Sequence, residues 1–306
     1  MPRLSVLYRP KFRATGFVVE GIDNPDIRVI PLELKKDRLS YVLYGVFLAL
    51  RLYRLAFFFR FTDATRMALK AMEGKVLFWD CCYFKEYRMM NAVLAKDLVK
   101  NVFFWNPLTR WSRDVAYVQH EIKYLSGRNY SFCTFDQEDS RKYGIRLVNN
   151  VNRDLKVVSD GPVKQDFYFV GAPKDRRDML RELESKLRGK GFSTKFLLVE
   201  SKSDYISNEE NIRLSAESAC IVDVVAKGQA GLTLRPLDAL FLKKKLLTNN
   251  VSVEKADFYD PDNIYIIRDA ELTGIEDFMK APYKNPDKAI VERYEVNRWV
   301  RDNFLN

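Results

Sequence analysis

Between Asp166 and Ile267, short apolar runs and helical patterns take turns along the chain. "DFYFVGA" is an apolar strand ending in Gly171. "KDRRDMLRELESKLRGKG" follows as an amphipathic helix, with Met179, Leu180, Leu183 and Leu187 on one face and Gly189 and Gly191 as its stop. "STKFLLVES" is the next strand, "NEENIRLSAES" a short helix, "ACIVDVV" a strand, "PLDALFLKKK" a helix, "KLLTNN" a strand and "NIYII" another. Few folds accept that order. Apolar strands joined by helices build a parallel sheet covered on both faces, a Rossmann-type unit. No GxGxxG run accompanies the pattern, which argues against a standard dinucleotide site.

The first half reads as a second α/β unit. "KVLFWDCC" is a buried strand, "EYRMMNAVLAKDLVK" a helix, "NVFFWNP" a strand ended by Pro107, "VAYVQHEIKYLSG" a helix, and "YSFCTFDQEDSRKYGI" a strand with an acidic loop. The polar stretch "VVSDGPVKQ", punctuated by Asp160-Gly161-Pro162, is the best linker. The 306 residues therefore divide into domains 1–160 and 161–306, with the last helix expected to pack back on the first domain.

Charge is unevenly placed. The net charge is +10; residues 1–160 hold 27 Lys+Arg against 17 Asp+Glu, and residues 161–306 hold 24 of each. A basic half attracts phosphates, anionic lipid heads or nucleic acid, or simply keeps the chain soluble. No compact Lys/Arg block with interleaved aromatics is present, so nucleic acid is not the expected partner. Four cysteines without a CxxC pair fit a reduced, cytoplasmic chain. His120 is the only histidine, which disfavours a Ser-His-Asp triad or a multi-histidine metal site. "MPRLSVLYRPKFR" at the N-terminus lacks the apolar core of a signal peptide.

"LSYVLYGVFLALRLYRLAFFFRF" is the most apolar segment, and its uncharged run Leu39–Leu50 is shorter than the ~20 residues of a membrane-spanning helix. Two readings stay open: a buried packing helix, or an interfacial helix peripheral on the inner face of a membrane. In the second, Arg51 and Arg54, one helical turn apart, and the flanking Lys35, Lys36 and Arg38 meet an anionic surface.

"GQAGLTLRPLDAL" (residues 228–240) opens a helix at the carboxyl end of a strand, where doubly wound sheets bind ligands. Gly228 and Gly231 permit close backbone approach, Thr233 can cap the helix and Pro236 suits its first turn. The free N–H groups of that turn and the fork of Arg235 make an anion site. Asp238 either orients Arg235 or accepts from ribose hydroxyls. "FVGAPKDRR" repeats the arrangement: Gly171 at a strand end, then Lys174 and Arg176 at a helix start, where positive charge opposes the macrodipole unless an anion is bound. Each loop also has a plain reading, as a capped helix start with a surface ion pair.

The stretches "DFYFVGAPKDRRDML", "DYISNEE", "CIVDVVAKGQAGLTLRPLDALFLKKKLLTNN" and "DFYDPDNIYII" resemble a family of bacterial lipopolysaccharide and capsule biosynthesis proteins. These are regarded as glycosyltransferases with two Rossmann-like domains facing across a cleft, the GT-B type. "VFFWNP" and "YSFCTFDQEDSRKYGI" are weaker echoes; the likeness spans Lys75 to Ile267 and carries nothing before Lys75. The resemblance implies a nucleotide-sugar donor as substrate, with no other cofactor and no metal. It implies that Gly171, Lys174 and Arg176 face the donor, that Tyr205 and Ile206 lie beside the base, and that Gln229, Gly231, Thr233 and Arg235 hold ribose and diphosphate. The acceptor it implies is a glycan or lipid-linked oligosaccharide. Two positions depart from the family pattern: Asp238 stands where Glu is frequent and Lys243 where Gly is frequent.

Enzymes of this type stabilise the leaving diphosphate with backbone N–H groups and Arg/Lys. The "DPD" at Asp260–Asp262 reads as a turn before a strand more readily than as a metal motif. If the reaction inverts, Asp80 at the carboxyl end of "VLFWD" competes with Asp136 and Asp139 in "FDQED" as the base, and all three also read as capping or turn aspartates; a retaining reaction needs no such base. A catalytically silent GT-B-like scaffold or partner-binding subunit is the alternative to an enzyme.

Overall fold

The computed structural model describes residues 3–155, 162–225 and 231–305, leaving the Lys174 side chain aside. The chain divides into two compact units, Met1–Asn149 with Val296–Asn306, and Asn150–Glu295. Residues 156–161, the centre of the polar linker, lie outside the described residues.

In the first unit, β1 (Leu4–Tyr8), β2 (Ile27–Pro31), β3 (Lys75–Trp79), β4 (Val99–Phe104), β5 (Tyr130–Thr134) and β6 (Arg146–Leu147) form a parallel sheet in the order β2-β1-β3-β4-β5-β6. Between them run α1 (Arg13–Val19), α2 (Arg38–Ala49), α3 (Tyr53–Arg60), α4 (Asp63–Lys70), α5 (Phe84–Asn91), α6 (Val115–Ser126) and α7 (Gln137–Tyr143). The second unit holds β7 (Gln165–Gly171), β8 (Thr194–Leu198), β9 (Ser218–Asp223), β10 (Lys245–Thr248) and β11 (Ile264–Ile266), parallel in the order β11-β10-β9-β7-β8. Its helices are α8 (Arg177–Gly189), α9 (Asn208–Ala216), α10 (Arg235–Leu242), α11 (Ile275–Lys280) and α12 (Lys288–Arg293). The fold class expected from the sequence, α/β with two Rossmann-like domains, is the one the chain has.

The central strands are rich in buried apolar residues because both faces are covered. In β9, Cys220 and Val222 join Phe167, Phe169, Leu180, Leu183 and Leu187 on one face, and Ile221 joins Leu237 and Leu240 on the other. Met179 departs from the expected helix face: Leu180, Leu183 and Leu187 are buried, and Met179 is 41% exposed. The final helix α13 (Val296–Val300) belongs to the first unit, where Trp299 lies 4.7 Å from Phe103 and 5.3 Å from Trp79.

The apolar segment near residue 50 is neither of the single helices expected. It breaks at Leu50–Leu52, with Arg51 at φ 59°, into the helical pair α2 and α3. Arg51 thus sits in the turn and shares no helix face with Arg54. Of α2 only Ser40 is buried, while Leu39, Tyr41, Val42 and Val46 are exposed. Among the described residues no helix is long and apolar enough to cross a membrane.

Candidate nucleotide and catalytic sites

Both sheets reverse their strand order once, between β1 and β3 and between β7 and β9. In open parallel sheets the reversal opens a crevice at the strand carboxyl ends, since the two flanking loops leave in opposite directions.

In the second unit the crevice is bordered by Gly171, ending β7, and Asp223, ending β9. Two arginines converge over Gly171: a Cβ built there would lie 2.9 Å from Arg235 Nη2 and 3.6 Å from Arg176 Nη2. Both guanidinium groups lie over the Phe169 ring, at 5.2 Å for Arg235 and 5.7 Å for Arg176. Arg235 donates through Nη2 to the Val170 carbonyl, and its Nη1 is 3.6 Å from Asp223 Oδ1. Arg176 donates to the carbonyls of Val224 and Ala172. Its Nε is buried with no partner among the described residues. Burial, and then the neighbouring Arg235, lower the pKa of Arg176. Asp223 is fully buried and accepts from Thr233 Oγ1 at 3.0 Å. Burial raises its pKa, against the opposing pull of Arg235, Thr233 and Arg176. Two guanidinium groups thus face one reluctant carboxylate, an arrangement that favours an added anion.

Several expected roles change. Thr233 does not cap α10: the cap residue is Leu234, without a side-chain cap bond, and the Thr233 hydroxyl holds Asp223. The helix start also offers fewer free amides than expected, because Pro236 has none and the N–H groups of Leu237 and Asp238 both go to the Leu234 carbonyl. Among the described residues, the site's positive charge rests on the arginines. Asp238 does not pair with Arg235; it accepts from Asn152 Nδ2 at 2.7 Å, and Asp223 takes the orienting place. Burial pushes the Asp238 carboxyl up to about 7, against Arg235 and Asn152. Tyr205 is 60% exposed after the short turn Lys202–Asp204 that follows β8, and Ile206 beside it is half-buried. Gln229 lies outside the described residues, as does the Lys174 side chain.

Asparagines hold the flanks of residues 226–230. Asn249 takes the Val225 N–H at 2.8 Å and returns a bond to its carbonyl; Asn250 Nδ2 donates to the Gly231 carbonyl, and Asn150 Nδ2 to that of Leu232. Of these, "TNN" after β10 carries a signal, two amides in a row at a strand's carboxyl end. Asp223 was also readable, as the lone carboxylate in "ACIVDVV".

In the first unit, Asp80 follows β3 directly, is 3% exposed, and adopts φ 44°. A non-glycine residue held in the left-handed region marks strain that the surroundings enforce. Its carboxylate accepts from Asn106 Nδ2 and from Trp111 Nε1 at 3.0 Å. Burial pushes it up to about 7, against Asn106, Arg110 and Trp111. Asp136 and Asp139 instead spend their oxygens on structure. Asp136 caps α7 through the Asp139 N–H, and Asp139 Oδ2 accepts the buried Leu108 N–H at 2.7 Å, fastening the turn after Pro107. His120 is exposed on α6. In the second unit Asp260 caps its own turn through the Asp262 N–H, and Lys284 pairs with Asp262.

No family model matches the chain, and no curated protein matches it in sequence. Among solved structures it is similar to Anabaena HepE, solved in complex with UDP and glucose, with a TM-score of 0.55 at 10% identity over 100% of both chains. It is also similar to a glycosyltransferase from Rickettsia africae ESF-5, with a TM-score of 0.50 at 10% identity over 99% of this chain and 96% of that one. At that identity both are likenesses of fold, extending over both Rossmann-like units.

Proposed function

We propose that this chain is a glycosyltransferase that moves a sugar from a nucleoside diphosphate donor to a glycan or lipid-linked acceptor in bacterial surface polysaccharide biosynthesis. The observation that carries this reading is the convergence of Arg176 and Arg235 over Gly171 at the order reversal of the second sheet. The HepE complex with UDP and glucose supports the choice of a nucleotide-linked sugar. The lipopolysaccharide and capsule setting rests on the resemblance of "GQAGLTLRPLDAL" and its neighbours.

In the proposed reaction the diphosphate is bound by the two arginines, whose charge counters the negative charge that grows as the anomeric C–O bond breaks. The donor's base stacks on exposed Tyr205. An acceptor hydroxyl attacks the anomeric carbon, its proton passes to Asp80, and the nucleoside diphosphate leaves. A carboxylate with a pKa near 7 suits that transfer, being substantially ionised and still basic. The exposed apolar residues of α2 and α3, with Arg51 and Arg54, are assigned to an anionic membrane surface.

A thermal-shift screen against UDP-, GDP- and CMP-linked sugars tests the reading, because a ligand bound only by the folded state raises its apparent stability. One nucleotide class is expected to raise the Tm of the wild type and leave Arg235→Ala unmoved. Equal shifts in both proteins would place the donor elsewhere.

A further inference from the structure

A second opening lies in the first unit, at the carboxyl ends of β1 and β2 and apart from Asp80 at the end of β3. Beyond β1 the chain continues Arg9-Pro10-Lys11, and here lies a cavity of about 820 Å³, within the range of small-ligand sites. Its walls include Arg9, Lys11, Lys35, Lys36 and Thr62, with Glu33 as the acidic residue among them. Four cations therefore face one carboxylate.

Two features show that this charge is not fully answered by the protein. Arg9 is 2% exposed and gives Nη2 to Glu86 Oε2 at 2.6 Å, but its Nε is buried with no partner among the described residues. Glu86 is shared: Arg60 lies 2.7 Å from its other oxygen, and the Tyr44 hydroxyl and Tyr83 N–H also donate to it. Burial, followed by Arg9 and Arg60, lowers the pKa of Lys11, with Arg110 a further repulsive neighbour. The rim is also amphipathic. The Lys35 ammonium rests 4.5 Å from the Phe58 ring; Phe58 and Leu55 are exposed on α3, and Leu52 and Leu50 are exposed in the turn before it.

We propose that this cavity binds a phosphate or diphosphate ester of the acceptor, with Arg9, Lys11, Lys35 and Lys36 taking the phosphate oxygens. An attached hydrocarbon chain would leave along α3. The assignment to an acceptor rests on the glycosyltransferase reading; the anion site itself does not.

The test is equilibrium binding to Arg176→Ala/Arg235→Ala protein, in which both arginines of the nucleotide cradle are removed, so that the first unit is read alone. The probes are farnesyl diphosphate and inorganic diphosphate. Lys11 and Lys35 are altered rather than Arg9, whose pairing with buried Glu86 ties it to folding. Adding Lys11→Glu and Lys35→Glu is expected to weaken farnesyl diphosphate binding by at least about tenfold, with an unchanged circular dichroism spectrum. Tighter binding of farnesyl diphosphate than of inorganic diphosphate identifies a lipid ester, and equal binding identifies a site for phosphate alone. Binding of neither probe, or affinities untouched by the double charge reversal, would overturn the proposal. Because the cradle is disabled throughout, failure here is separable from failure of donor binding in the wild type.

Discussion

Gly171→Ala separates a binding role for the arginine pair from a structural one. The new Cβ would sit 2.9 Å from Arg235 Nη2, 3.5 Å from Phe169 Cζ and 3.6 Å from Arg176 Nη2. The last two are ordinary contacts; the first forces the guanidinium aside. Gly171 lies in strand β7 without a positive φ, so alanine meets no backbone strain there. Moreover, replacing glycine at a compatible position stabilises by about 0.4–1 kcal/mol through the unfolded chain. That gain offsets much of the cost of weakening the bond from Arg235 to the Val170 carbonyl, a loss of about 1 kcal/mol. Net stability should change by less than about 1 kcal/mol, a Tm shift of a few degrees for units of this size. A displaced Arg235 loses a charged hydrogen bond to the diphosphate worth roughly 1.5–3 kcal/mol, or about 10- to 100-fold in Kd. Calorimetric titration with the nucleoside diphosphate, beside a melting curve, reads both quantities. Wild-type affinity in Gly171→Ala would refute the reasoning, and so would a collapse in Tm.

Other expectations follow from the same geometry. Asp80→Asn should lower kcat by about 10²- to 10⁴-fold in a transfer assay while leaving donor affinity intact. In the wild type, activity should rise as pH passes up through about 7, following Asp80 ionisation. Because the folded-state pKa of Asp80 is raised, the native state holds its proton longer than the unfolded chain. This contribution to stability is complete below the unfolded value near 4 and is lost as pH rises to about 7, so Asp80→Asn should gain Tm relative to wild type at pH 8 and lose that advantage toward pH 4. Lys243 ends α10 at φ 52°, so Lys243→Gly should stabilise by about 0.5–1 kcal/mol in chemical denaturation. Replacing Arg51 and Arg54 with glutamine should weaken flotation with anionic vesicles roughly thirtyfold; unchanged flotation would remove the membrane assignment.

The second sheet was readable because its central strands carry apolar runs and α8 keeps Leu180, Leu183 and Leu187 on one buried face. Gly171, Arg176 and Arg235 stand out in the sequence for a local reason, a glycine at a strand end and cations at helix starts, and the structure brings the three together. What escaped depends on contacts distant along the chain. Asn150 lies more than eighty residues from the carbonyl it holds. Glu86 reads as a helix-surface carboxylate and is in fact buried under Arg9 and Arg60. The break between α2 and α3 was hidden because the left-handed residue there is Arg51, where glycine or asparagine would have announced a turn.

The central claim is that the arginine pair over Gly171 binds the diphosphate of a nucleotide-linked sugar. Titrating UDP into the wild type, Arg176→Ala and Arg235→Ala tests it most directly. The account predicts saturable one-to-one binding by the wild type and a loss of at least about tenfold in each variant, with melting temperatures within a few degrees. Failure of the wild type to bind UDP, GDP or CMP, or equal affinity across the three proteins, would contradict it.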